Sequence, residues 1–424
     1  MKGIEQNKIV IFGAGKIGRS FIGQLFSRGG YEVVFVDVYK PVIEELNKRR
    51  NYPVIIKSEK EEVLTITNVR GVLADDMEAV ADEVASTGIV AVSVGLHGLI
   101  SIFPALAKGL IKRFEMNGQS PLDIIIAENM RDADTFFRTE LKKHLPPGYP
   151  FERLVGLVET SIGKMVPIML RKDLEEDILQ VFAEPYNTLI LDKKAFKNPI
   201  PQISGLAPKE NMKAWVDRKL FIHNLGHATA AYMGYLYDQG FVYIYEALAV
   251  PAVHDAVRNT MLQSAELLLK KYPGEFSPED LTGHIDDLLS RFQNKALGDT
   301  LFRVGCDLGR KLGPEDRLAG AIKNALLFDL PYDKILLALV CGFHFRATDE
   351  YGNILPQDAE FAKLCEKGTD HVLAIICDFD SIRHSQLFEG ALVIDKYLNT
   401  PGSNLEFAMN INFFYHPERH SQKR

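Results

Sequence analysis

A chain of 424 residues with 46% hydrophobic and 25% charged side chains has more apolar mass than one compact core usually holds, so two domains are expected. Its net charge of −7 argues against a general nucleic-acid binder. No apolar run approaches the roughly 20 residues needed to span a bilayer, and the opening Met-Lys-Gly-Ile-Glu-Gln-Asn-Lys has no apolar signal core.

The first half alternates short β-branched runs with helical patterns. Ile9–Phe12, Val33–Val36, Ile89–Val94 and Ile124–Ala127 read as strands buried on both faces of a parallel sheet. Ile17–Ser27, ended by Gly29-Gly30, is the helix of a βαβ unit. Tyr52–Ile56 and Glu62–Ile66 flank a charged turn and read as an inserted hairpin, with Val155–Val158 and Ile190–Leu191 as further strands. Lys197–Pro208 is rich in proline and breaks the pattern, which places a boundary between 1–203 and 204–424. Beyond it, helical periodicity covers Trp215–Leu236, Ala252–Lys271, Pro278–Phe292, Pro314–Phe328, Tyr332–Gly342 and Asp358–Lys367. After about Leu398 the periodicity weakens, and a partly disordered or surface-draped tail is expected. Cys306, Cys341, Cys365 and Cys377 form no Cys-x-x-Cys pair, so reduced thiols in a cytoplasmic protein are expected, with no zinc site and no disulfide framework.

Gly13-Ala14-Gly15-Lys16-Ile17-Gly18 follows a strand and opens a helix, the context in which G-x-G-x-x-G reads as a dinucleotide fingerprint. Gly13 permits the turn, Gly15 the approach of a pyrophosphate, and Gly18 close packing of helix on sheet. The helix N-terminus offers its free N–H groups and positive dipole end to the phosphates. Asp37, at the end of the second strand, is placed to bind both ribose hydroxyls and to repel a 2′-phosphate, which favours NAD over NADP.

A second polar run is Lys219-Leu-Phe-Ile-His-Asn-Leu-Gly-His227. In an α-helix Asn224 lies about 140° and His227 about 80° around from Lys219, so the three share one broad face. A buried lysine loses its charge readily, and a neutral amine can take a hydroxyl proton while hydride leaves the carbon. Asn224 can donate to the developing oxygen and His227 can hold it in line. His223 is read as structural, and Gly226 as a thinning of the helix that lets substrate or backbone approach. Asn129 follows the strand at Ile124–Ala127, at the carboxyl end where ligands bind in such sheets; the alternative is a helix cap ahead of Asp132 and Asp134.

These motifs resemble the long-chain polyol dehydrogenases, and within them the branch acting on mannitol 1-phosphate. The resemblance runs from about Lys8 to about Ala362. It rests on Phe12–Arg19 with Phe21-Ile-Gly23, on Glu128-Asn-Met130 and on Arg218–His227. It continues with Arg303-Val-Gly, Arg310-Lys-Leu312, Asp316-Arg317 and His344-Phe-Arg346. It implies an α/β Rossmann-type N-terminal domain with a mostly α-helical C-terminal domain, and metal-independent, NAD-linked oxidation of a secondary alcohol. In that family the lysine matching Lys219 is the general acid/base, those matching Asn129 and Asn224 polarise the substrate oxygen, and that matching His227 orients it. Arg303 and Lys311 match positions in the polyol pocket, and Arg346 joins them as a substrate-side candidate; Lys164 and Arg310 are further basic residues for a phosphate clamp. The chain departs from the family at Gly163–Pro167, at Cys306–Gly309 and at Lys16, mostly in substrate-side loops.

The expectation is therefore interconversion of a sugar-alcohol phosphate and a ketose phosphate by a monomer or small homo-oligomer, with no nucleic-acid or membrane partner. An unphosphorylated polyol dehydrogenase or a hexuronate reductase is the alternative within the family. A redox-neutral NAD-dependent enzyme and an NAD-binding sensor are alternatives from other classes.

Overall fold

The computed structural model describes residues 5–130, 132–401 and 403–410. They form two compact units, Met1–Val216 and Asp217–Arg424. No described helix is long and apolar enough to cross a membrane.

The first unit is built on strands β1 (Glu5–Phe12), β2 (Glu32–Asp37), β3 (Asn51–Ile56), β4 (Glu62–Thr67), β5 (Val69–Leu73), β6 (Thr87–Val92), β7 (Leu122–Ile126), β8 (Val155–Ser161), β9 (Val181–Ala183), β10 (Leu189–Asp192) and β11 (Leu206–Lys209). Eight of them form one sheet in the order β11-β10-β8-β7-β6-β1-β2-β5. From β8 through β5 every pairing is parallel, and β10 joins β8 antiparallel. Alternation along β1 explains the burial on both faces. Ile9 and Ile11 enter one core with Phe21, Phe26, Phe35 and Tyr52, while Val10 and Phe12 enter the other with Phe103 and Phe137. Both cores are closed by edge-to-face aromatic pairs, Phe35 on Tyr52 and Phe103 on Phe137.

The expected hairpin is β3–β4, paired antiparallel from Asn51–Thr67 to Ile56–Glu62, and β9 adds to it in parallel. The sequence pattern misses three strands. β5 is interrupted by Arg70, which pairs with Glu32 and Glu83, and β9 has only three residues. β11 contains Pro208, which its edge position tolerates. β11, at the end of the proline-rich stretch, pairs with β10, and the first unit runs to Val216.

The second unit is helical among its described residues, apart from an isolated bridge between Tyr243 and Thr300. The expected helices occur at Pro251–Lys271, Pro278–Phe292, Ala319–Leu327, Asp333–Phe343 and Pro356–Cys365. The long pattern from Trp215 resolves into Met212–Arg218, a π-helical turn at Lys219–Asn224, and Leu225–Tyr237. The pattern also misses a helix of 14 residues, Ser385–Leu398. The expected loose tail is corrected as far as Asn410: Leu405–Asn410 is a helix packed on Pro251–Lys271, with Ala408 fully buried. The remainder, 411–424, lies outside the described residues.

Asp123 on β7 fastens the proline-rich stretch to the sheet. Its buried carboxylate accepts from the Lys197 N–H (2.7 Å), the Asn198 N–H (3.0 Å) and Asn198 Nδ2 (2.9 Å). Burial pushes this carboxyl above its usual range, and the donors pull it back. Asp123→Ala leaves those donors unmatched and should cost about 2 kcal/mol or more, read as a lower urea midpoint. An unchanged midpoint would show that Asp123 does not hold this stretch.

Candidate active site

The glycine loop joins β1 to a helix that begins with a π-helical turn, Gly18–Gly23. Gly13 has φ +100°, and a Cβ there would lie 2.4 Å from the Ser93 carbonyl oxygen. A Cβ on Gly18 would meet the Gly13 carbonyl oxygen at 1.9 Å, whereas Gly15 faces open space. The loop is thus pinned on both sides and open where a pyrophosphate would approach. Asp37 pins it further: one carboxylate oxygen accepts from the Ala14 N–H (2.7 Å) and the other from the Tyr39 N–H (2.8 Å). Each oxygen keeps a lone pair for a ribose hydroxyl. Lys16 is exposed, and Ile17 packs partly buried beside the first core.

Two supporting residues were not singled out for this role in the sequence. Buried Arg19 donates from Nε to the Ala14 carbonyl (2.6 Å) and from Nη1 to the Leu179 carbonyl (2.6 Å), tying the loop to the chain just before β9. Glu128, just past β7, accepts from the Gly95 N–H (2.8 Å) and so holds the loop after β6; burial raises its carboxyl above the usual range. Asn129 is exposed at the carboxyl end of β7. It is not the cap of the next helix, Ala133–Lys142: that helix N-terminus is held by Glu159 of β8, through the Ala133 N–H at 2.8 Å.

In the second unit, Leu225 N–H bonds to the Leu220 carbonyl, the i→i+5 link of a π-helix. Such a link stacks residues five apart, so Lys219 and Asn224 align more closely than the 140° of an α-helix allows. Burial, followed by the charge of Arg317, lowers the Lys219 amine to about 8. Ser264 donates to the Phe221 carbonyl (2.6 Å) and anchors the turn to the helix Pro251–Lys271.

The close approach expected at Gly226 is made by a neighbouring helix: a Cβ there would strike Met261 Sδ at 2.4 Å.

His227 stacks flat on Phe292, with ring centroids 4.4 Å apart and planes at 6°. Its Nε2 lies 3.4 Å from Asp299 Oδ2, too long for a strong hydrogen bond. Burial works against the Asp299 carboxylate, yet His227 and Arg303 hold it below its usual range, and Arg303 pairs with its other oxygen. His227, Asp299 and Arg303 are therefore one contiguous group. Asp299 and Phe292 lacked a sequence signal; one follows a turn glycine and the other ends an ordinary amphipathic helix. His223 is buried against Phe292, and burial drives its ring well below the ordinary imidazole range, in keeping with a structural role.

Lys311 is buried, donates to the Val304 carbonyl (2.7 Å), and is lowered to about 8 by burial and then Arg317. Arg310 pairs with Asp307 and with Asp316 (3.3 Å). Arg346 donates to the Phe343 and Phe345 carbonyls at 2.8 and 2.7 Å, closing the helix Asp333–Phe343. Lys164 is buried in the first unit, bonded to the Tyr186 carbonyl (2.8 Å) and Asn187 Oδ1 (2.9 Å). Among the described residues, no group of three His, Cys, Asp or Glu side chains could hold a metal ion.

Comparison with solved structures gives the same architecture. A D-sorbitol dehydrogenase in substrate-free form superposes with a TM-score of 0.80 at 19% identity, over 96% of this chain and 95% of that one. The Pseudomonas fluorescens mannitol 2-dehydrogenase, in ternary complex with NAD and D-mannitol, superposes with a TM-score of 0.72 at 17% identity, over 95% and 93%. Two family models match: the mannitol dehydrogenase Rossmann domain over residues 7–205, and the mannitol dehydrogenase C-terminal domain over residues 211–391. The chain belongs to the mannitol dehydrogenase family.

Proposed function

We propose that this protein interconverts a sugar-alcohol phosphate and a ketose phosphate with NAD, mannitol 1-phosphate and fructose 6-phosphate being the pair named by its motifs. The observation that carries the dehydrogenase part of the reading is the π-helical turn shared by Lys219 and Asn224, where burial lowers the lysine amine to about 8. Family membership and a fold shared with dehydrogenases of sorbitol and mannitol support a polyol CH–OH group as the reacting centre. The pinned, open glycine loop and the Asp37 carboxylate fit NAD, and the mannitol 2-dehydrogenase of the same fold binds it.

Bound NAD supplies the hydride acceptor. Lys219 Nζ, neutral, takes the proton of the secondary hydroxyl, and the carbon becomes a carbonyl as its hydride departs. Asn224 and Asn129 donate to the substrate oxygen as its charge changes. His227, kept in plane by Phe292 and backed by Asp299, orients that oxygen. Arg303 and Lys311 bind the polyol, with Arg346 and Arg310 as further candidates for the phosphate.

A second reading within the family, an unphosphorylated polyol or a keto-uronate, has a specific observation behind it. Arg303 and Arg310 are paired with aspartates, and Lys311 and Arg346 donate to backbone carbonyls. Reduction assays separate the two: fructose 6-phosphate should react far better than fructose or a keto-uronate, and the reverse order would select the second reading.

The cofactor assignment predicts that NADH exceeds NADPH in kcat/KM by about a hundredfold, because a carboxylate at Asp37 repels a 2′-phosphate. Equal use of the two would remove Asp37 from its role. Activity should survive exhaustive dialysis against EDTA; a stoichiometric zinc that restores lost activity would contradict the lysine mechanism.

Lys219→Ala should lose about a thousandfold or more in kcat while still binding NADH. Oxidation needs the neutral amine and reduction the protonated one. Oxidation should therefore rise, and reduction fall, as pH passes through about 8. Near-normal turnover by Lys219→Ala would sink the assignment.

A further inference from the structure

Arg317 has no role in the reaction described so far, yet it touches the turn that carries Lys219 and Asn224. It is buried, with 8% of its surface exposed. Its Nη1 lies 3.4 Å from the Asn224 carbonyl oxygen, at the last residue of the π-helical turn. Its Nε donates to Asp316 Oδ1 at 2.8 Å. Its charge falls on Lys219, on Lys311 and on Tyr232, whose hydroxyl bonds the Gly305 carbonyl (3.2 Å). A guanidinium stays protonated at any working pH, so this is a fixed positive charge beside a lysine that must shed its own.

We propose that Arg317 is a positioning residue of the Lys219–Asn224 turn and sets the pH at which the Lys219 amine works. This rests on Lys219 being the proton carrier.

The surroundings make the effect one-sided. His223 lies on the turn itself, and His227 on the helix that follows it. The helix Pro278–Phe292, packed against the turn, brings His284 and Arg291; burial, then Arg218 and Arg291, lowers the His284 ring to about 3. The helix Pro251–Lys271 brings Lys271, which is paired with Asp217 (2.8 Å). Asp299 is shared between His227 and Arg303. Asp316 is shared between Arg317 and Arg310 (3.3 Å), so it neutralises Arg317 only in part. A fixed cation favours the neutral amine over the ammonium. The contact with the Asn224 carbonyl meanwhile places that charge beside the residue to which the proposed function gives the substrate oxygen.

The sign follows for three variants. Arg317→Gln removes the cation, so the ammonium persists to higher pH: the oxidation limb should move up by about half to one pH unit, and kcat should fall as the turn loosens. Arg317→Lys keeps the charge and should hold the limb near its wild-type position. Asp316→Asn removes the counter-charge and should move the limb down. The experiment is the pH dependence of kcat/KM for oxidation in all three variants, with thermal unfolding as a check on folding and Lys219→Ala as control.

Opposite shifts in Arg317→Gln and Asp316→Asn, with Arg317→Lys near wild type, support the proposal. A rate lost by the same factor at every pH, with the limb fixed, overturns it and leaves Arg317 a purely structural residue. If Arg317→Gln does not fold, an unmoved limb in Asp316→Asn overturns it equally. A limb that persists in Lys219→Ala instead removes the proton-carrier reading on which the proposal stands. A limb lost in Lys219→Ala but unmoved in Arg317→Gln removes the proposal alone.

Discussion

The helical half of the protein depends on one irregular turn, the π-helical stretch Lys219–Asn224, in which the Leu225 N–H reaches back to the Leu220 carbonyl. It lies between two ordinary helical segments and turns Lys219 and Asn224 closer to one direction than an α-helix would. Such turns are rare interruptions of an α-helix, so the surroundings must hold them. Here they do: Ser264 bonds the Phe221 carbonyl, Phe221 and Ile222 are buried, and Arg317 reaches the Asn224 carbonyl. Burial that stabilises the turn also strips water from the lysine. The same packing therefore fixes the geometry and lowers the amine's basicity.

The sheet half works by a related constraint. Loops at the carboxyl ends of parallel strands are irregular, and their N–H and carbonyl groups need partners. Asp37, Glu128 and Glu159 accept from such N–H groups, and Arg19 donates to the Ala14 carbonyl. A loop held this way presents its shape before a ligand arrives, which reduces the ordering cost of binding.

Much of this was legible because it repeats. The β-branched runs marked six strands of the main sheet, the charged turn marked the β3–β4 hairpin, and 3.6-residue periodicity marked the long helices. Short elements stayed hidden, since three residues at Val181–Ala183 carry no period and Arg70 breaks β5. The glycine loop and Asp37 were readable from their spacing, and the structure joins them through the Ala14 N–H. Lys219, Asn224 and His227 were readable as residue types at a spacing, but with the wrong angle, because nothing local in Lys219–Asn224 announces a π-helical turn. At Gly226 a close approach was readable, but not its partner, Met261, which is distant in sequence. Asp299 and Phe292 became visible only through contacts between distant segments, and so did what the motif residues Arg19 and Arg317 touch.

Everything proposed for the reaction turns on Lys219 being a depressed amine rather than an ordinary surface lysine. The most direct test is a pH titration of its side-chain nitrogen by 15N NMR in lysine-labelled enzyme, with the signal assigned by its loss in Lys219→Arg. The account predicts a midpoint near 8. A midpoint at the ordinary lysine value of about 10.4 would contradict it.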